Sequence, residues 1–465
     1  MSWSKGILTL ISTYYKPGGK NVKKRNQFYR RSCLSILASV CYSGTWSIDS
    51  AGSIRAVDLL IVGKFGNASS ISAVGTGSSF MQMATFIITS LAMGSTVIIG
   101  HHIGEQKPKE AGNAVGTTII LFLIIAVVMT FVLEFAAGGI ARLLQTPAES
   151  FDKTILYIRI CSAGIVIIIA YNVISGVLRG VGNANLPLLF VGIACVVNIL
   201  GDLLLVGAFH MDVAGAAIAT VFAQFVSVVC SVAVLRKQNM PIEFSREQCR
   251  IYKDELKKIL NVGVPIALQE TTVQISFLVV NSVINQMGLM PSAGYGIAQK
   301  IVSFIMLVPS SVMQSVSAFV AQNIGAGKKE RAWKGFYTAI ITGCSVGIVI
   351  FMAGFFGGGF LSSFFTNDPE VIAQSAAYLK GFSADCILTC VLFSSIGYFN
   401  GCGKSIPVMI QGITSAFCLR IPVSIIMSRL PNTSLTYVGM ATPITTVYGI
   451  IFFIICFRLL KKKSA

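Results

Sequence analysis

The sequence predicts an all-α polytopic membrane protein with twelve transmembrane helices, arranged as two six-helix lobes about a pseudo-two-fold axis along the membrane normal. Three observations predict it. Hydrophobic residues make up 54% of the 465 and charged residues only 12%, with a mean hydropathy of +0.76, far from the balance of a soluble globular chain. Apolar stretches of about 20 residues, enough to cross a bilayer core, recur between short charged connections. The second half then repeats features of the first at a fixed spacing.

Residues 1–31 are polar and rich in Lys and Arg, ending in Arg30 and Arg31, which reads as a cytoplasmic tail. The first lobe is expected over 32–235. Its first span is the least regular, because Asp49, Arg55 and Asp58 interrupt the apolar residues between Leu34 and Val62. Five clear stretches follow near 72–100, 114–134, 155–178, 186–207 and 213–235. A charged linker, 236–258, precedes the second lobe at 259–457. There the stretches lie near 259–286, 293–322, 335–363, 371–399, 405–428 and 435–457, before a basic tail at 458–465.

Lys and Arg collect on alternate connections, as the positive-inside rule requires. Lys107, Lys109, Arg179, the central linker, Lys328, Lys329, Arg331, Lys334, Lys404 and Lys461 to Lys463 share one side. Lys64, Arg142, Lys153 and Arg429 fall on the other. This pattern needs the irregular first span and puts both termini in the cytoplasm of a multi-pass cell-membrane protein, with a bacterial cytoplasmic membrane expected. The formal charge of +18 is therefore a topology signal with the bilayer as partner, and nucleic-acid binding is not expected. The twelve cysteines show no paired framework and read as free core thiols. No apolar segment with a small-residue cleavage site marks a removable signal peptide.

The repeat has a constant offset. His102-Ile103-Gly104 with Lys107 is echoed by Asn323-Ile324-Gly325 with Lys328, and Arg179-Gly180-Val181-Gly182 by Asn400-Gly401-Cys402-Gly403. Positions 102 and 323, and 179 and 400, are both 221 apart. Six spans per repeat is an even number, so both halves enter the membrane in the same direction and substrate would bind between them near mid-membrane.

Chemistry enters with Asp202, a carboxyl inside the apolar run Val196 to Val206, where an ionisable side chain is expensive and by default marks function. Asn198, one helical turn earlier, shares its face, and the pair suits a proton or small cation; the alternative is a protonated Asp202 hydrogen-bonded for packing. Glu270 and Asp385 also fall near the predicted midplane, where negative charge suits a desolvated organic cation. The alternative for these two is an internal ion pair with Lys300 or Arg420. Met81, Tyr171 and Met306 are candidate liners of an adaptable cavity. Clustered Asp, Glu or His for metal chemistry is absent from the pattern, and His101, His102 and His210 lie at loop edges, so neither an enzyme nor a bound cofactor is expected. A channel is the other class, separable by saturable, gradient-dependent turnover.

In combination, Val57-Asp58 leading into Val62-Gly63-Lys64-Phe65-Gly66, the Ile-Gly-plus-basic loops, Ile174 to Gly180 with Gly182, Asn198 through Asp202, Gly215 to Thr220 and Gly397 to Gly401 resemble the multidrug and toxic compound extrusion (MATE) family over about Ala56 to Lys463. The resemblance implies a V-shaped pair of lobes, acting as a monomer, that exports amphipathic and often cationic small organic molecules in exchange for inward H+ or Na+. It implies a first-lobe coupling site at Asp58, Asn198, Asp202 and Thr220, and at about 1.5 Å per residue the last two and Asp58 lie at similar depth. The repeat positions near Val280, Leu419 and Val423 carry no carboxylate. It also matches Glu270, beside Gln269, to an acidic position on span 7, and Asp385 to one about a turn away on span 10. A lipid-linked oligosaccharide or lipid flippase of related architecture is the alternative, which would call for several basic residues in the cavity. The departure from the family is Ser43 to Arg55, rich in Gly and Ser where relatives have a longer apolar segment with a proline. Arg55, three residues before Asp58, can pair with it, which makes Asp202 the stronger carrier.

Overall fold

The computed structural model describes residues 61–62, 67–183, 185–237, 240–430 and 434–464. The expected first span, with Asp58 and Arg55, lies outside the described residues except for Ile61 and Val62, which are buried in the first-lobe core. The other described residues are mainly helical, apart from short turns and the connection at 240–252, which holds one turn of 3-10 helix. The first lobe contains α1 (Ala68–Gly104), α2 (Pro108–Leu143), α3 (Ala148–Ala163), α4 (Ile165–Val181), α5 (Asn185–Asp202) and α6 (Asp212–Lys237). The second contains α7 (Lys253–Asn285), α8 (Leu289–Ile305), α9 (Leu307–Gly325), α10 (Lys329–Ser363), α11 (Pro369–Phe382), α12 (Asp385–Gly401), α13 (Ile406–Thr414), α14 (Ile421–Ser428), α15 (Leu435–Gly439) and α16 (Ala441–Ser464). Two wider π-helical turns, Leu203–Ala208 and Ser415–Arg420, continue α5 and join α13 to α14.

Counting each bent pair once, these helices give eleven membrane crossings among the described residues, at the positions of spans 2 to 12. The molecule is an all-helical polytopic membrane protein. Two of the apolar stretches, 155–178 and 371–399, fall on bent pairs of helices. α3 and α4 meet at 53°, and α11 and α12 at 48°. At the first break Gly164 admits Val221 of α6, whose Cγ1 would be 2.4 Å from a Cβ there. At the second the Ser383 hydroxyl donates to the Lys380 carbonyl at 2.8 Å, a local competitor of the helical ladder. Residues 164 and 385 are 221 apart, so the bend belongs to the repeat.

Burial separates central from peripheral helices. The most apolar window of α1 is 61% buried, as is that of α8 with α9, against 17% for α2 and 22% for α10. Leu123, Val127, Phe131 and Phe135 on α2, and Ile341, Val349 and Phe356 on α10, are exposed, as lipid-facing surface must be. α1 and α8–α9 thus line the middle of the molecule.

The lobes meet through α1 packed on α7 and α9, with smaller contributions from α2 and α4. Their shared core joins Met93, Val97, Ile98 and Ile103 of α1 to Ile259, Val262 and Ile266 of α7 and Ala321 of α9. Glycines make the approach close. A Cβ on Gly94 would stand 2.5 Å from the Ile259 carbonyl oxygen, and one on Gly263 the same distance from that of Leu91. These residues occupy the later part of α1 and the first half of α7, on the face bearing Lys107, Lys328 and Lys404. α8, at the opposite face, packs on α7, α9, α10 and α11 of its own lobe. Among the described residues the lobes therefore close at the basic face and diverge toward the other.

The repeated glycine motifs also have a backbone reason. Gly182 (φ 93°) and Gly403 (φ 71°) end α4 and α12 in the left-handed region, which glycine enters without a Cβ penalty. The turn after α9 uses Gly327 (φ 73°), whereas its repeat mate, 221 positions earlier, is Gln106 at φ 60°. Replacing Gln106 with Gly is expected to raise stability by about 0.5 kcal/mol, since the relieved strain exceeds the added unfolded-state entropy. Thermal unfolding of the purified protein checks it, and a lowered midpoint refutes the strain.

Candidate functional site

Asn198 and Asp202 are both 0% exposed, on the face of α5 that turns inward while Val196, Leu200, Leu203 and Leu204 are exposed. The apolar run places the helix in lipid, and its i, i+4 spacing brings the two polar groups together inside the lobe. α6 closes over them. Gly201 allows this, since a Cβ there would be 3.0 Å from that of Ala219, the neighbour of Thr220. Thr220 is half-buried, and its hydroxyl donates to the Ala216 carbonyl at 3.0 Å. Neither the amide nitrogen nor the amide oxygen of Asn198 has a hydrogen-bond partner among the described residues. A buried primary amide left so costs about 1–3 kcal/mol, and the π-helical turn that follows Asp202 is a distortion frequent at functional sites. The structure thus brings Asn198, Asp202 and Thr220 to one level of the first lobe, while Asp58 is outside the described residues.

The second lobe holds a separate polar cluster. Glu270 is half-buried on α7 and accepts from Gln274 Nε2 at 2.9 Å. Asp385, 2% exposed at the start of α12, accepts from Thr389 Oγ1 at 2.6 Å, and its Oδ1 has no partner among the described residues. Arg420 ends the second π-helical turn. Its guanidinium donates to Ser276 Oγ at 2.9 Å and lies 4.6 Å from the Phe277 ring centre, a cation–π distance. Its Nε is buried without a partner among the described residues. Tyr295 and Tyr378 stand edge to face at 5.0 Å, with Gln299 bonded to the Tyr295 hydroxyl.

No ion pair within 4.0 Å joins Arg420 to Glu270 or Asp385 among the described residues, and Lys300 points instead toward Phe365, 6.0 Å from its ring. The internal ion pair weighed from the sequence is therefore not formed. Arg420 is the residue of this cluster that sequence reasoning undervalued. A guanidinium within an apolar span is as costly as Asp202, and that was the signal available.

The other candidates lie against neighbouring helices. Gln269 lies along α13, where a Cβ on Gly412 would be 2.4 Å from its Cγ. Met81 is buried in the first-lobe core. Tyr171 is buried beside Phe190 and Val191, and its hydroxyl donates to the Pro187 carbonyl at 3.1 Å. Met306, at the junction of α8 and α9, is half-buried against the second-lobe core.

At the basic face, His102, Glu105 and Glu110 place ligand atoms within 4.8 Å of one another. Lys107 Nζ, however, sits 3.2 Å from Glu105 Oε2 and 3.4 Å from Glu110 Oε2, so a cationic side chain already serves both carboxylates. Partial burial pushes the Glu105 carboxyl up, but the hydrogen bond and charge of Lys107 outweigh it and hold the group below the usual carboxylate range.

The sequence matches the MatE family over residues 52–204 and 265–426. It is 25% identical over 376 residues to a probable multidrug resistance protein, YpnP, of Bacillus subtilis, covering 81% of this chain and 84% of that protein. It is 23% identical over 383 residues to the multidrug export protein MepA of Staphylococcus saprophyticus, covering 80% and 82%. Among solved structures, an outward-facing multidrug resistance transporter of the same family superposes with a TM-score of 0.88 at 20% identity, over 94% of this chain and 99% of that one.

Proposed function

The chain belongs to the MATE family of transporters, and from that membership we propose that it is a multidrug efflux protein of the cell membrane, acting as a monomer with both termini in the cytoplasm, that exports amphipathic organic cations in exchange for inward H+ or Na+. The observation that carries the coupling half is the enclosed pair Asn198 and Asp202. A carboxylate in a water-poor apolar helix is stable protonated or beside a cation, so an ion moving in from outside has a seat there, next to an amide with open donors and acceptors. Asp58 and Thr220 complete the seat. Loading and emptying it favour different arrangements of the two lobes, and by linkage the drug opposes the ion as strongly as the ion opposes the drug.

Substrate is assigned to the second-lobe cluster of Glu270, Asp385 and Arg420, whose guanidinium lies against the Phe277 ring. A single arginine among acids does not suit a pyrophosphate-bearing lipid, which argues against a flippase. Glu270→Gln is expected to raise the KM for a lipophilic cation about tenfold with little change in the coupling stoichiometry, the equivalent of about 1.5 kcal/mol for one charge-assisted contact.

The decisive experiment is flux of a fluorescent lipophilic cation in proteoliposomes under an imposed proton gradient, and separately under a sodium gradient. Flux under one gradient and not the other identifies the ion. Equal flux with both gradients collapsed refutes antiport.

A further inference from the structure

The two lobes are held at the basic face by one contact made twice. His101 Nε2 of α1 lies 2.8 Å from the Gly401 carbonyl oxygen at the end of α12. Gln322 Nε2 of α9 donates to the Gly180 carbonyl, near the end of α4, at 2.8 Å. Positions 101 and 322, and 180 and 401, are each 221 apart, the offset of the sequence repeat. The reciprocity extends to the backbone, because Gly325 lies against the His101 carbonyl and Gly104 against that of Gln322, each with a would-be Cβ at 2.2 Å. An imidazole and an amide therefore serve the same purpose from opposite lobes.

We propose that His101 and Gln322 are paired latches that hold the basic-face gate shut, positioning residues whose release lets the lobes separate on that side to admit substrate. The acceptors favour this over plain packing. Gly180 and Gly401 fall in the last turns of their helices, where carbonyls have no intrahelical partner. When the lobes part, these carbonyls and the two side chains pass to water, which can replace both bonds. Each latch is thus worth a modest amount and can open repeatedly. His102 adds a one-sided tie, with its Nε2 2.9 Å from Glu255 Oε2 of α7, and that carboxylate is also held by Lys258 at 2.8 Å.

The test is amide hydrogen exchange of the full chain in lipid nanodiscs, which needs neither substrate nor coupling ion and so stands or falls apart from the antiport reading. His101→Ala and Gln322→Met are each expected to speed exchange about threefold to tenfold in both crossing segments, 98–106 and 320–327, with the double variant near the product. His101→Gln, which supplies the donor that Gln322 supplies in the mate, is expected to restore the slow rate. The proposal is overturned if exchange rises only in the mutated helix, if it rises throughout the lobe interiors, or if His101→Gln behaves like His101→Ala.

Discussion

Asp202→Asn is expected to abolish gradient-driven export while leaving the fold intact. The exchange is isosteric, so it opens no cavity beside Asn198. A neutral amide is also easier to bury than a carboxylate, so membrane levels should match the parent. What is lost is the charge that seats the ion, and truncating one member of a buried charged contact costs about 2–5 kcal/mol, a fall of at least 30-fold in coupled flux. Substrate affinity should change little, because Glu270, Asp385 and Arg420 belong to the other lobe. Flux and equilibrium drug binding measured on the same purified variant separate these effects. Wild-type flux in Asp202→Asn would make the residue a packing group and move coupling to Glu270. Asn198→Ala should fall between, since it removes two enclosed polar atoms without removing a charge.

The helices were legible because lipid imposes length and composition directly, and each described span overlaps its apolar stretch. Asp202 was legible for the same reason, as a charge in the wrong solvent. The bends at Gly164 and near Ser383 were not, because they depend on which helix presses on which, and hydropathy carries no record of a neighbour such as Val221. Arg420 was visible in the sequence, but whether it pairs with an acid is a matter of side-chain direction, and the structure turns it toward Ser276 and Phe277. The repeat was read as evidence of two lobes. Its glycines also record two physical demands, left-handed turns at Gly182 and Gly403 and backbone contact across the lobes at Gly104 and Gly325. The pairing of His101 with Gln322 escaped notice because they are different residue types at equivalent positions, and only the shared acceptor geometry reveals them as mates.

Gly104→Ala and Gly325→Ala are expected to disable closure of the basic face. In each, the new methyl would lie 2.2 Å from a backbone carbonyl oxygen of the opposite lobe, with further backbone atoms at 2.8–3.0 Å. A rotamer change cannot relieve it, since a Cβ has none, so α1 and α9 must move apart by about 1 Å. Overpacking of this kind costs about 3 kcal/mol, roughly a hundredfold against the closed arrangement. The penalty falls only where the helices cross, and each lobe keeps its own core, so the variants should fold and favour opening on the basic side. Gly139→Ala is the control, because nothing lies within 4 Å of a Cβ there and a mid-helix alanine is mildly stabilising. Labelling of a cysteine introduced into the cavity, by reagent added from the basic side, should rise in both crossing variants and not in the control, while export falls. If either crossing variant labels and transports like the parent, the 2.2 Å approach is not a contact of the closed transporter, and the latches built around it lose their support as well.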